Sequence, residues 1–230
     1  MSGYKHNTLF LIWNDPESHS NYVVGRLTRD TVYRFVYYGD YKEAQKKGWT
    51  FLPAFPEEAQ YECDELFPAF ASRLPDRKRR GIEAILAKYG LEYYDEFELL
   101  RAGGGKLPID SYSFIDPIFP EDETIERDFY IAGFRYHAGC GESDCSKAIV
   151  INIGDNLLLQ PEPDNDYDKN AFAIYDNSRH RLGYIPRYYS ESVTNRINKQ
   201  MTYSCVVIEV NKETKCTECV KVKLCMPKRK

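Results

Sequence analysis

This sequence is short of the features that mark the commonest enzyme and membrane classes. No apolar run approaches the roughly 20 residues that a membrane-spanning helix needs,. The opening MSGYKHNTLFLIW has a brief apolar stretch with no small-residue cleavage site after it, so a cytoplasmic protein with no membrane association is expected,. GxGxxG, HExxH and GxSxG are all missing,. The 4 histidines, His6, His19, His137 and His180, are scattered without ligand spacing among themselves. AGGGKLP, Ala102 to Pro108, comes nearest to a phosphate loop, but it lacks the GxxxxGK[ST] spacing and follows a helical pattern instead of preceding one,. It reads as a helix C-cap and a turn. Internal repeats and low-complexity tracts are absent too. The expectation is a protein that is not an enzyme and carries no cofactor.

Apolar residues make up 43% of the chain, enough for real cores,. Tyrosine dominates the aromatics, 19 against 2 Trp, and joins an apolar ring to a polar tip, which suits half-buried faces and stacking surfaces,. Charge is uneven. Met1–Arg127 has 16 basic and 22 acidic residues, whereas Asp128–Lys230 has 15 and 13. The second half is thus the better candidate for an anionic partner.

The first half opens with LFLIW, YVVGRL and VYRFVYY, β-branched and aromatic runs that read as antiparallel strands,. The period then changes. Leu66, Phe70 and Leu74 recur every four residues as one helical face, stopped by Pro75,. Asp76 is an N-cap candidate for a second helix carrying Ile82, Ile85, Leu86 and Tyr89, with Gly90 just past its end,. Asp95 and Glu98 form a capping-box pattern for a third helix ending at Gly103,. Asp116–Arg127, with two prolines and five acids, looks like a linker,. Beyond it FYIAGFRYH, IVINI, LLLQPE, AFAIYD, RLGYIP, YSCVVIEVN and CVKVKLCM all have strand character, and YYSESVTNRINKQ suits one helix with Ser190 or Ser192 near its cap,. The pattern predicts an α+β chain: residues 1–115 as a small sheet with helices, 116–127 as a linker, and 128–230 as a small β-barrel,.

Two clusters could hold a metal. The acids of EPDNDYD are spaced like the start of a calcium loop, but no glycine follows Asp168 and no Glu stands at the twelfth position, so no metal is expected there,. Cys140/Cys145 and Cys216/Cys219 are two spaced pairs that could supply four zinc ligands if their hairpins met,. The alternative is reduced, unpaired thiols. Cys63, Cys205 and Cys225 suit core positions.

The second half resembles the HIRAN domain family. The matching pieces, in order, are FYIAGFRYHAG, IGDNLLLQPEPDNDYDKNAFAIYD and RLGYIPRYYSESVTNRI, over about Asp128 to Val210. The resemblance implies an OB-like β-barrel that holds the 3′ end of single-stranded DNA in a small pocket. It also implies roles. Arg135 and Tyr136 match an Arg-Tyr pair that contacts DNA. Tyr167 would stack on a terminal base while Asp168 accepts the proton of the 3′-hydroxyl. Tyr184 and Arg187 stand where the family has His and Lys, facing a base and a phosphate. A plainer reading stays open, in which Tyr167 and Asp168 only shape a turn and Gly183 and Pro186 only shape a hairpin,.

The first half resembles the N-terminal subdomain of HipA-type kinases. The matching stretch runs from DELFPAFASRLP through GIEAILAKYGL to DEFELLRAGGGKLPIDSYSF, and the likeness spans about Leu9 to Phe114. The kinase core is missing, so no kinase activity is expected; the subdomain's role in the family suggests a protein partner. Three functions are weighed. A module binding single-stranded DNA at free 3′ ends, in repair, replication or defence against foreign DNA, leads. A non-catalytic adaptor whose barrel binds no DNA comes second. A metal-dependent nuclease is disfavoured, because the acids of EPDNDYD all come from one loop,.

Overall fold

The computed structural model describes residues 7–120, 122–139, 149–199, 202–211 and 218–227. The chain divides into two compact units, Lys5–Pro117 and Ile118–Lys230.

In the first unit, strands β1 (Thr8–Asn14), β2 (Asn21–Arg29), β3 (Tyr33–Tyr37), β4 (Tyr61–Cys63) and β5 (Tyr112–Ile115) form one antiparallel sheet in the order β4-β3-β2-β1-β5. Helices α1 (Tyr41–Lys46), α2 (Pro68–Ala71), α3 (Ile82–Lys88) and α4 (Glu96–Gly103) accompany it. The core is aromatic: Phe35 packs at 4.5 Å from Phe55 and 5.2 Å from Phe70. The ring of Phe35 also lies on Gly25, where an added Cβ would sit 2.5 Å from Cε2, so no larger residue fits there. The three expected strands and the Asp95 cap are found, with Glu98 N–H donating to Asp95 Oδ1 at 2.9 Å,. The middle helices are shorter than expected. Pro68 begins α2 and only four residues follow the helical path,. Asp76 does not cap α3; its Oδ1 accepts from Lys78 N–H at 2.6 Å in a turn, and the helix begins at Ile82, after Gly81 at φ +82°,.

The second unit contains β6 (Ile125–Tyr130), α5 (Phe134–His137), β7 (Leu158–Glu162), β8 (Ala171–Tyr175), β9 (Arg181–Tyr184), α6 (Arg187–Ile197), β10 (Ser204–Val210) and β11 (Val220–Met226). Along β11, Val220, Val222, Leu224 and Met226 are buried while Lys221, Lys223 and Cys225 are partly exposed, the alternation of a strand with one wet face,. The closed barrel expected from the sequence is not observed. The strands form two open antiparallel sheets, β10-β11-β6 and β7-β8-β9. Isolated bridges, Ala132↔Tyr184 and Asn156↔Val206, stitch the sheets at two points without a continuous ladder.

Three local expectations also change. FRYH, whose pattern predicts the end of a strand, is the helical turn α5, because Gly133 at φ +71° turns the chain out of β6. IVINI, Ile149–Ile153, forms no strand. Part of the stretch read as a linker is packed: Ile125 opens β6 with no exposed surface, and Arg196 of α6 donates to Phe119 O at 2.8 Å.

Among the described residues, no helix is long and apolar enough to cross a membrane, and no group of three His, Cys, Asp or Glu side chains gathers as a metal site. Cys140, Cys145 and Cys216 lie outside the described residues. Cys205 is buried and Cys63 and Cys225 are half-buried.

Candidate nucleic-acid interface

The β7–β8 hairpin carries the acidic loop. Its shape comes from Asn165, whose Oδ1 accepts from the N–H groups of Tyr167 at 3.0 Å and Asp168 at 3.1 Å, an Asx turn,. This turn leaves the Tyr167 ring 89% exposed. Asp168 is half-buried and bonded on both oxygens: Oδ1 accepts from Asn170 N–H at 2.9 Å and Oδ2 from Ser190 Oγ at 2.6 Å. Ser190 sits in the first turn of α6 and caps nothing, contrary to expectation, since Pro186 holds the cap position. Its hydroxyl also lies 2.8 Å from the carbonyl of Arg187, the exposed first residue of that helix. The turn expected of Asp168 is therefore present, and the same carboxylate fastens the loop to the start of α6.

Tyr184 belongs to a second group. In the register of the sheet it lies opposite Ala173 of β8, and Glu162 of β7 lies opposite Ala171. Residues two apart on a strand share a face. Two alanines on the central strand leave room for side chains of the outer strands to meet above them. The Tyr184 hydroxyl donates to Glu162 Oε2 at 2.9 Å and accepts from Arg181 Nη1 at 2.7 Å, and Arg181 Nη1 also donates to Glu162 Oε1 at 3.1 Å. Burial, then the bond to Glu162, pushes the Tyr184 phenol up, so it stays protonated,. That bond to Tyr184 is in turn the largest influence raising the Arg181 guanidinium.

Helix α5 is held against β9 by paired backbone bonds between Ala132 and Tyr184, at 2.9 and 2.8 Å. The approach is so close that a Cβ on Gly183, at φ +145°, would stand 2.3 Å from Ala132 O. This is the physical reason for the glycine in GYIPR. The ring of His137 meets Tyr184 edge-on at 5.3 Å. Burial, with the nearby Arg181 charge, lowers the His137 imidazole below its ordinary value and keeps it neutral at pH 7,. On the same turn Tyr136 is 66% exposed and Arg135 lies 5.6 Å from its ring centroid.

The six residues singled out in the sequence thus fall into two groups. Tyr184 meets His137 on α5, the turn that also carries Arg135 and Tyr136, while Tyr167 and Asp168 share the loop and Asp168 reaches, through Ser190, the start of α6 where Arg187 stands. A hydrogen-bonded path joins them: Asn165, which shapes the loop, donates from Nδ2 to Glu162 Oε2 at 3.4 Å, and Glu162 holds Tyr184. The sequence alone marks none of Glu162, Asn165, Arg181, His137 and Ser190 as part of this site. Asn165, two residues before Tyr167, was the one with a local signal, an Asx-turn spacing. The others depend on strand register.

The sequence model of the HIRAN domain matches residues 126–224, and that of the HipA N-terminal domain matches residues 19–108. Similar solved structures include the HIRAN domain of human HLTF, 20% identical with a TM-score of 0.33, covering 46% of this chain and 78% of that one. A structural-genomics protein from Lactobacillus plantarum is also 20% identical, with a TM-score of 0.36, covering 46% of this chain and 97% of that one. No curated protein matches. Residues 126–224 are a HIRAN domain and residues 19–108 a HipA N-terminal domain, one in each compact unit of this chain.

Proposed function

We propose that this chain is a non-enzymatic, cytoplasmic binder of single-stranded DNA, whose HIRAN unit takes the free 3′ end, in repair, replication or defence against foreign DNA. The observation that carries this reading is the pairing of an 89% exposed Tyr167 ring with an adjacent carboxylate fixed by Ser190 and Asn170. A base stacked on an exposed aromatic ring is worth about 1–3 kcal/mol and needs no particular sequence. A carboxylate beside a nucleic-acid backbone is costly unless it meets a donor. A terminal 3′-hydroxyl is such a donor, and an internal phosphodiester is not, so Asp168 favours ends over interiors. Its two bonded oxygens retain lone pairs for one more donor. Arg135 and Arg187 give forked donors to phosphates. The Tyr184 hydroxyl already donates its hydrogen bond to Glu162, so Tyr184 offers a base its ring.

Fluorescence anisotropy with one labelled oligonucleotide, ending in either a 3′-hydroxyl or a 3′-phosphate, tests this. The expected result is clearly tighter binding of the hydroxyl end. Equal affinities would sink end recognition.

A second reading, an adaptor that binds protein through its HipA-like unit and no DNA at all, draws on the formal net charge of -4. It predicts no salt-dependent affinity for either oligonucleotide.

A further inference from the structure

The first unit is acidic in sum, yet its turn before α3 reads Asp76-Arg77-Lys78-Arg79-Arg80-Gly81, four consecutive cations, all exposed. The turn has a definite shape. Asp76 Oδ1 accepts from Lys78 N–H at 2.6 Å, its carbonyl accepts from Arg79 N–H at 3.0 Å, and Gly81 at φ +82° leads into the helix. Arg77 is partly committed, with its guanidinium 5.8 Å from the ring centroid of Tyr94, whose hydroxyl is itself fixed on Pro75 O at 2.8 Å. The acids that act on this corner, Asp76 and Glu96, act on Arg77 and Tyr94. The side chains of Lys78, Arg79 and Arg80 have no ion pair or hydrogen bond among the described residues. Three unneutralised cations side by side repel one another and cost stability. Among the described residues no acid pairs with them to offset that cost, whereas an external polyanion would.

We infer that the Asp76–Gly81 turn is a second docking site, on the HipA-like unit, for the phosphate backbone of nucleic acid. Two of the three free cations are arginines, whose planar fork fits phosphate oxygens in pairs. Phosphate contacts of this kind carry no base readout, so binding here is independent of sequence. The choice of nucleic acid over another polyanion rests on the DNA reading of the HIRAN unit. The charge geometry does not.

The test uses the full chain and a blunt duplex blocked with 3′-phosphates, which offers the HIRAN unit no free end. Affinity is followed from 25 to 200 mM salt for the native chain and for the variant K78Q/R79Q/R80Q, which leaves Arg77 on Tyr94. Each lost phosphate contact on duplex DNA should remove about 0.9 from the slope of log K against log salt. The expected fall is about 2–3 for the triple variant, with its preference for 3′-hydroxyl over 3′-phosphate oligonucleotides unchanged. D168N should do the reverse, keeping the slope and losing the preference. An unchanged slope in the triple variant overturns the docking site, as does loss of binding to anionic lipid vesicles without loss of DNA binding. Absence of any end preference in the native chain overturns the HIRAN reading instead.

Discussion

Ser190 Oγ donates to Asp168 Oδ2 at 2.6 Å, tying the tip of the β7–β8 hairpin to the first turn of α6. The bond separates two roles of Asp168 that the sequence leaves merged. Replacing Asp168 by Asn keeps an oxygen for the N–H of Asn170, so the turn survives, and Ser190 can still donate to Arg187 O. D168N should therefore change stability by less than about 1 kcal/mol while abolishing discrimination between 3′-hydroxyl and 3′-phosphate ends. S190A removes the donor and leaves the carboxylate half-buried, a cost of about 1–3 kcal/mol read by urea unfolding. If D168N keeps its end preference, Asp168 does not read the hydroxyl.

Of the described glycines, Gly183 leaves the least room for a side chain. A methyl there would meet Ala132 O at 2.3 Å and Ile131 Cγ2 at 2.7 Å, in a backbone conformation at φ +145° that side chains rarely adopt. G183A should cost about 3 kcal/mol or more, combining strain with overpacking. The same substitution breaks the Ala132–Tyr184 pairing that seats α5, so affinity for DNA should fall even at temperatures where the variant is folded. A loss of less than about 1 kcal/mol in the unfolding free energy would show that the bridge is dispensable.

Which parts of this fold are legible in the sequence depends on how local their causes are. The Asp95 cap is satisfied three residues away by Glu98 N–H, and β8 is announced by its own AFAIY run. Both could be read directly. FRYH alternates in a way that mimics a strand, and only the left-handed Gly133 turns it into α5. IVINI has strand composition, but no strand partner for it is found among the described residues. The closed barrel fails for a similar reason: strand count and spacing say nothing of whether the last ladder forms, and here it is replaced by two bridges. Within the site, Tyr167 and Asp168 are legible because their turn is local. The Glu162–Arg181–Tyr184 contact is not, since it depends on register across a third strand and on two alanines beneath it.

Arg73 organises the end of the first unit. Its guanidinium donates to both oxygens of Asp110, at 2.7 and 2.8 Å, and to the carbonyls of Gly105 at 2.6 Å and Tyr112 at 3.0 Å. Its side chain is 8% exposed. R73M should cost about 3–5 kcal/mol by stranding Asp110, and R73M/D110N should recover part of that loss. Burial works to raise the Asp110 carboxyl, but the bonds from Arg73 and Tyr112 N–H prevail and hold it below its ordinary value of 3.8. Its contribution is full above that value and is lost as pH falls through the lower folded value. D110N should flatten the acid limb of an unfolding-midpoint profile. An acid limb identical to that of the native chain would show that the pair does not set it.

His137 gives the HIRAN unit a pH response near neutrality. Its ring stands edge-on to Tyr184 at 5.3 Å, and burial, followed by the Arg181 charge, holds it below the ordinary 6.5, with only Glu162 pulling the other way. The unfolded chain therefore takes up this proton first as pH falls. Stability linked to His137 is full above about 6.5 and declines as pH drops through the lower folded value. Protonation also sets a second cation beside Arg181, loosening the Glu162–Arg181–Tyr184 contact that orients the Tyr184 ring. Urea midpoints at pH 7.5 and 5.5 should fall further for the native chain than for H137Q, the other three histidines being common to both. A glutamine there cannot titrate, so the difference between the two profiles isolates this residue. Parallel profiles would mean that the imidazole has room to charge without disturbing Tyr184.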